Sequence, residues 1–239
     1  MARRRFFVEA IRGGSAELRG DDARHLTRVL RVEAGQRFEI SDQRAAWLAE
    51  VTEARGDRVL FRVLEPLETL EMPVRITLHA ALIKFDRFEW MVEKATELGV
   101  ECIQPVETAR SEKGLFEASR KRLERWQRIA RESSQQSRRL CAPEIRPAMR
   151  WTEAPGQPAG LRFFLDESGA PPLLRVLPAD RVARAEVALL VGPEGGWVEE
   201  EREDALAAGW VAASLGPRIV RAETAALAGV AILAAAWLP

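Results

Sequence analysis

The chain has 239 residues, 47% of them hydrophobic, and its 36 basic and 36 acidic residues cancel to a formal net charge of +0. That length supports one large domain or two smaller ones with cores of their own, and the balance excludes a polyanion partner recruited by bulk charge. Two cysteines, Cys102 and Cys141, are too few for a disulfide framework and suit a reducing cytoplasm; "MARRRFFVEA" lacks the apolar core of a secretory signal, and the longest apolar run, "AALAGVAILAAAWLP", falls short of the roughly 20 residues that span a membrane.

Residues 1–70 read as a small β-rich unit. Strand candidates are "RRFFVEA", "QRFEIS", "AAWLAEV" and "RVLFRVLE", with turn signals at Gly13-Gly14, Ser41-Asp42 and Gly56-Asp57. "ARHLTRVLRV" interrupts them as a helix, capped by Asp21 or Asp22, with Leu26, Val29 and Leu30 at helical spacing. Glu65 to Pro73 reads as a linker. From residue 74 to 239 the pattern alternates. "VRITLHAAL" is a strand, "DRFEWMVEKATELG" a helix stopped by Gly99, and "ECIQPV" a strand. "LFEASRKRLERWQRIARESSQQSRR" reads as one long helix. "LRFFLDE", "EVALLVG" and "VAASLG" are three more strands, and helical patterns follow the last two. Such alternation predicts a mainly parallel α/β sheet.

Ligands in parallel α/β sheets bind beyond the carboxyl ends of the strands. Three such ends stand out: Leu165-Asp166-Glu167, the turn Gly192-Pro193-Glu194-Gly195-Gly196, and Leu215-Gly216-Pro217-Arg218. Glycines there let the backbone approach a ligand; the plain alternative is a tight strand-to-helix turn. Phosphate fits poorly, because Glu194 lies in the turn and Glu199, Glu200 and Glu201 open the next helix. A cationic ligand or a neutral nucleoside fits better. Arg218, Arg221, Glu223 and Thr224 lead an otherwise apolar helix, where charge is costly unless paired or used. One of Glu223 and Thr224 is expected to cap it. Charge is also uneven along the chain: residues 105–150 hold 12 Lys/Arg against 6 Asp/Glu, and residues 186–239 hold 3 against 8. A basic face on a neutral chain suits a nucleic acid. His79, mid-strand, reads as packed.

"LLVGPEGGW" followed by "SLGPRIVRAETAAL" resembles the paired signature of the SPOUT methyltransferases, and most closely the bacterial small-subunit rRNA methyltransferase E family. "KFDRFEWMVEKATELGV", "TARSEKG", "RWQRIARESSQQSRR" and "RHLTRVLRV" are similar to that family's other blocks, in order along nearly the whole chain. Three positions depart from its usual pattern: Phe85 for Gly, Ala222 for Thr, and Trp197 for a smaller apolar residue.

The resemblance implies an α/β fold, a SPOUT-type parallel sheet with a C-terminal trefoil knot, preceded by a PUA-like β-barrel domain over residues 1–70. It implies S-adenosyl-L-methionine bound by the knot loops, at Leu165, Asp166, Leu190, Gly192, Pro193, Glu194, Gly195, Gly196, Leu215, Gly216, Ile219, Arg221 and Thr224. It implies a cytoplasmic homodimer that methylates N3 of a uridine in 16S rRNA of the small ribosomal subunit, with no metal and no membrane. Methyl transfer to uracil N3 requires stabilisation of negative charge on the ring, for which Arg221 is the candidate, and loss of a proton, for which Glu194 and Glu223 are candidate bases. An Arg221–Glu223 ion pair is the structural alternative. RNA candidates are Arg3, Arg4, Arg5, His25, Arg28 and Arg31 in the first unit, and Arg110, Ser111, Lys113, Arg125 and Arg138, with the remaining basic residues of the 115–139 helix. The competing reading is a non-catalytic RNA-binding or ribosome-assembly protein that keeps the fold.

Overall fold

The computed structural model describes residues 4–238. They form two compact units: the chain up to Glu71 together with Ser134–Ala142, and Met72–Ser133 together with the chain from Pro143 onward. The first unit therefore takes nine residues from the middle of the sequence.

In the first unit, β1 (Arg5–Phe7), β2 (Ile11–Arg12), β3 (Ser15–Arg19), β4 (Arg37–Ser41), β5 (Ala46–Arg55) and β6 (Arg58–Leu67) pair in the order β1-β4-β5-β6-β3-β2. Only β1–β4 is parallel. Alternation puts Ala16 and Leu18 inside and Ser15 and Arg19 outside, so one face builds a core with Phe6, Leu26, Ile40, Val51, Val59 and Phe61. β6 runs into the expected linker as far as Leu67. The expected helix over residues 23–32 is shorter and earlier. A single α-helical turn, α1 (Gly20–Arg24), runs into a π-helical turn over His25–Val29, and Arg19, not Asp21 or Asp22, is its N-cap. Leu26 is buried, but Val29 and Leu30 are 65% and 48% exposed, because the wider turn carries them off the apolar face. The mid-chain segment is tied in by polar contacts. Arg5 Nη1 donates to the Arg138 carbonyl at 2.6 Å, Ser41 Oγ to the Leu140 carbonyl at 2.7 Å, and Gln135 Nε2 to Asp22 Oδ2 at 2.8 Å.

The second unit is a seven-stranded, wholly parallel sheet. Its strands are β7 (Val74–Ala81), β8 (Cys102–Glu107), β9 (Glu144–Ile145), β10 (Met149–Arg150), β11 (Leu161–Leu165), β12 (Ala185–Val191) and β13 (Val211–Ala213). Their order is β10-β8-β7-β12-β11-β13, with β9 also on β8. The helices are α2 (Phe85–Glu97), α3 (Leu115–Ser119), α4 (Leu123–Gln136), α5 (Leu173–Val176), α6 (Glu199–Ala207) and α7 (Ala222–Ala236). The expected long helix over 115–139 is thus two, broken at Arg120–Arg122. Both faces of the sheet are covered, so β12 is apolar from Val187 to Val191. Val187, Leu189 and Val191 face the main core with residues of α2 and α7, while Ala188 and Leu190 face a second cluster with Trp197, Ala205 and Trp210. α7 lies so close to the sheet that a Cβ on Gly229 would come 2.6 Å from Leu189 Cδ2. His79 is buried edge-on to Trp210, with ring centroids 5.6 Å apart.

Candidate active site

The carboxyl ends of β11, β12 and β13 open into one pocket. Its walls include Leu165, Asp166 and Glu167 from the first end, Gly192, Pro193, Glu194, Gly196 and Trp197 from the second, and Leu215, Gly216, Arg218 and Ile219 from the third. A hydrogen bond from Gly196 N–H to the Pro193 carbonyl, 2.9 Å, closes the glycine turn. Gly196 has φ +69° and its Cα faces the Glu167 carboxylate; a Cβ there would lie 2.5 Å from Oε1. The positive φ is what favours glycine here, since the end of the Glu167 side chain can swing away. Gly192 is required for another reason: the Trp197 indole packs on its Cα, and a Cβ would meet Cε2 at 2.9 Å. That indole donates its N–H to the Leu165 carbonyl at 2.8 Å. Trp197 therefore locks the end of β11 to the glycine turn.

The loop into α7 separates this pocket from a second concavity. Val220, Ala222 and Ala225 face the pocket, whereas Arg221, Glu223 and Thr224 line an open groove with Asp86, Arg87 and Trp90 of α2. Neither Glu223 nor Thr224 caps α7, contrary to expectation. The N-cap is Arg221, extended at φ −65° and ψ 154°, without a side-chain cap bond. Nor do Arg221 and Glu223 form an ion pair among the described residues. Glu223 is only 6% exposed, and its Oε2 is buried without a hydrogen-bond partner. The two concavities are bridged at one point, where Arg87 Nη1 meets Glu194 Oε1 at 2.8 Å.

A family model for the RNA methyltransferase domain matches residues 70–234, and one for the RNA methyltransferase PUA domain matches residues 18–64. A ribosomal RNA small subunit methyltransferase E from Aquifex aeolicus is 30% identical over 235 residues, covering 95% of this chain and 97% of that one. The chain belongs to the ribosomal RNA small subunit methyltransferase E family. The relative so named from Synechocystis is 34% identical over 206 residues, which are 84% of this chain and 66% of that protein. The crystal structure of a methyltransferase E from Neisseria gonorrhoeae bound to S-adenosyl methionine superposes with a TM-score of 0.88 at 31% identity, covering 99% of this chain and 98% of that one.

Four residues that the methyltransferase E pattern assigns to the cofactor do not line the pocket. Leu190 is fully buried in the second core cluster. Gly195 turns its Cα toward the Arg110 side chain and accepts a hydrogen bond from Arg110 Nη1 through its carbonyl. Arg221 and Thr224 are in the groove. The departure at Phe85 has a packing reason: its ring is edge-on to Trp126 at 5.9 Å, and the Arg122 guanidinium lies 4.9 Å above it.

Two functional groups were not legible in the sequence. Arg202 of α6 pairs with buried Asp166 (Nε to Oδ2, 3.0 Å) and donates to Ser168 Oγ at 3.0 Å. The bond to Asp166 holds the guanidinium pKa above its ordinary value. Glu201, 3% exposed, accepts from the Ala109 N–H at 2.7 Å and from the Val198 N–H at 3.2 Å. It thereby ties α6 to the loop carrying Arg110 and Ser111. Both depend on contacts far apart in sequence, and a run of acids at a helix start carries no signal for them.

The RNA candidates divide. Arg28 and Arg31 are exposed, Arg31 at φ +48°, and His25 is half-buried beside them. Arg4 lies over the Phe6 ring. Arg5 is buried against Glu39 and the Arg138 carbonyl, so it is not available to RNA; Arg138 also pairs with Glu39 at 3.5 Å. Arg3 lies outside the described residues. In the second unit Lys113 is exposed, Ser111 Oγ bonds Thr108, and Arg125 pairs with Glu89 at 2.8 Å. Among the described residues no helix is long and apolar enough to cross a membrane, and no group of three His, Cys, Asp or Glu is placed to hold a metal.

Proposed function

We propose that this chain transfers a methyl group from S-adenosyl-L-methionine to N3 of a uridine in 16S rRNA of the small ribosomal subunit, acting as a cytoplasmic homodimer. On this reading the PUA-like unit holds RNA, and the C-terminal loops thread through one another in a trefoil knot. One observation carries the proposal: the start of α7 presents apolar side chains to the pocket at the three strand ends, and Arg221 and Glu223 to an adjoining groove.

The pocket residues fit the cofactor. Apolar Leu165, Leu215 and Ile219 suit a nucleoside, and Asp166, Glu167 and Glu194 suit a positive charge and not a phosphate. When bound, S-adenosyl-L-methionine supplies a methyl group made electrophilic by its sulfonium. Arg221, permanently charged and without an ion pair, stabilises negative charge as it grows on the uracil carbonyls. Glu223 Oε2, free of hydrogen bonds, takes the N3 proton. Glu194 is the weaker base candidate, because Arg87 already neutralises it. Arg28 and Arg31 meet phosphates.

The test is single-turnover methylation of 16S rRNA at saturating RNA and cofactor. Arg221→Ala is expected to lower the rate by on the order of 10²–10³ while RNA still binds. A wild-type rate in that variant would remove Arg221 from the chemistry. A wild-type protein that binds rRNA but not S-adenosyl-L-methionine would instead favour the assembly-protein reading.

A further inference from the structure

Trp90 is 46% exposed on α2, a helix that otherwise turns its large apolar side chains inward. It lines the groove that holds Arg87, Arg221 and Glu223. An aromatic face in open solvent beside two guanidinium groups is how proteins hold an unstacked base. The same groove contains the buried, unpartnered Glu223 Oε2. A buried acceptor left without a donor costs on the order of a hydrogen bond. The groove thus lacks one donor, and a ligand that brings it is favoured. Glu223 lines the groove, and a bound base meets Oε2 only after the side chain turns toward the opening.

These groups specify an edge. Arg221 is a cationic donor, Arg87 is a second one through the N–H groups that its bond to Glu194 leaves over, and Glu223 is the acceptor. A planar ring that answers them offers acceptor, donor, acceptor along one side, which is the O2, N3–H, O4 edge of uracil. Cytosine offers an unprotonated N3 at the centre of its edge, which an ionised carboxylate rejects for want of a proton. We infer that the Trp90 groove is the base-reading subsite: Trp90 stacks an unpaired uracil, and Glu223 Oε2, accepting the imide N–H, makes the choice of uracil over cytosine. This inference rests on the methyltransferase reading above and adds to it the residue that contacts the base and the group that selects it.

The experiment measures methyl transfer to rRNA by the full chain with uridine-only and cytidine-only hexamers as competitors. In wild type the uridine hexamer competes and the cytidine hexamer does so poorly. Trp90→Ala is expected to weaken uridine competition and raise the RNA concentration for half-maximal rate by about tenfold, the typical size of one lost base–aromatic stack. Trp90→Phe keeps a stacking face and restores most of both. Glu223→Gln, which places an amide where the carboxylate was and is expected to slow transfer, is read by direct binding of the two hexamers, and narrows the preference between them. Calorimetry with S-adenosyl-L-methionine is expected to give unchanged affinity in both Trp90 variants. Equal competition by the two hexamers in wild type, or a Trp90→Ala that matches wild type, overturns the inference and leaves the methyltransferase reading intact. So does a Trp90→Ala whose mass by light scattering falls below wild type, since Trp90 is then a subunit contact. A wild-type protein that methylates no rRNA sinks the function first.

Discussion

Gly192 and Trp197 form one unit: the small residue exists because the large one lies on it. Gly192→Ala should displace the indole and break its bond to the Leu165 carbonyl. The expected cost is about 1–3 kcal/mol in urea denaturation, together with weaker cofactor binding by calorimetry; an unchanged midpoint would mean that the ring yields freely. Arg202→Ala leaves the Asp166 carboxylate buried beside the pocket without its cation, at a cost of about 2 kcal/mol by the same measurement. His79 gives the pH signature. Burial, with Arg146 adding a repulsive charge, pushes its pKa down to about 4. A depressed histidine contributes stability that is complete above the unfolded value near 6.5 and is lost as pH falls toward 4. His79→Phe should flatten that part of the stability–pH curve relative to wild type, and a parallel curve would show that His79 is not its source. The turn residues and the three strand ends could be read from the sequence because glycine and strand-end position are local signals. Arg202, Glu201 and the unpaired oxygen of Glu223 could not, because their meaning comes from partners brought together by the fold.

At the scale of elements, α7 illustrates the same division. Its apolar composition announces burial, but only the structure shows that Gly229 permits the approach to Leu189 and Leu165. Gly229→Val should therefore destabilise the protein more than the intrinsic helix preference of valine allows, by about 1–3 kcal/mol from overpacking alone. A thermal midpoint equal to wild type would show that α7 can lift from the sheet at no cost. The parallel sheet was legible because strand and helix patterns alternate along the sequence. The helix over residues 23–32 was misplaced because a π-helical turn shares the apolar spacing of an α-helix over so short a span. The long basic helix was read as continuous because no proline marks its break; the only breaker signal lies upstream at Gly114, which is left-handed at φ +85°.

For the whole molecule, the units predict separable effects. Replacing Arg28 and Arg31 by Ala should weaken RNA binding and reduce the salt slope by about 1 per lost phosphate contact, without changing cofactor affinity. An unaltered slope would move the RNA elsewhere. Ile219 and Val220, 88% and 41% exposed in the loop before α7, suit burial by a second copy. Light scattering should thus find twice the 26.7 kDa of one chain, and a stable single-chain mass would sink the dimer. The return of Ser134–Ala142 to the first unit has a consequence for synthesis. A ribosome that has made the first 71 residues has not yet made everything their fold uses: the partners of Arg5, Ser41 and Asp22 lie further along the messenger. At typical elongation rates of about 5–20 residues per second, those last pieces arrive several seconds later. The N-terminal unit is completed only once residues 72–133 of its neighbour have also been made, so its folding waits on chain that belongs to the second unit.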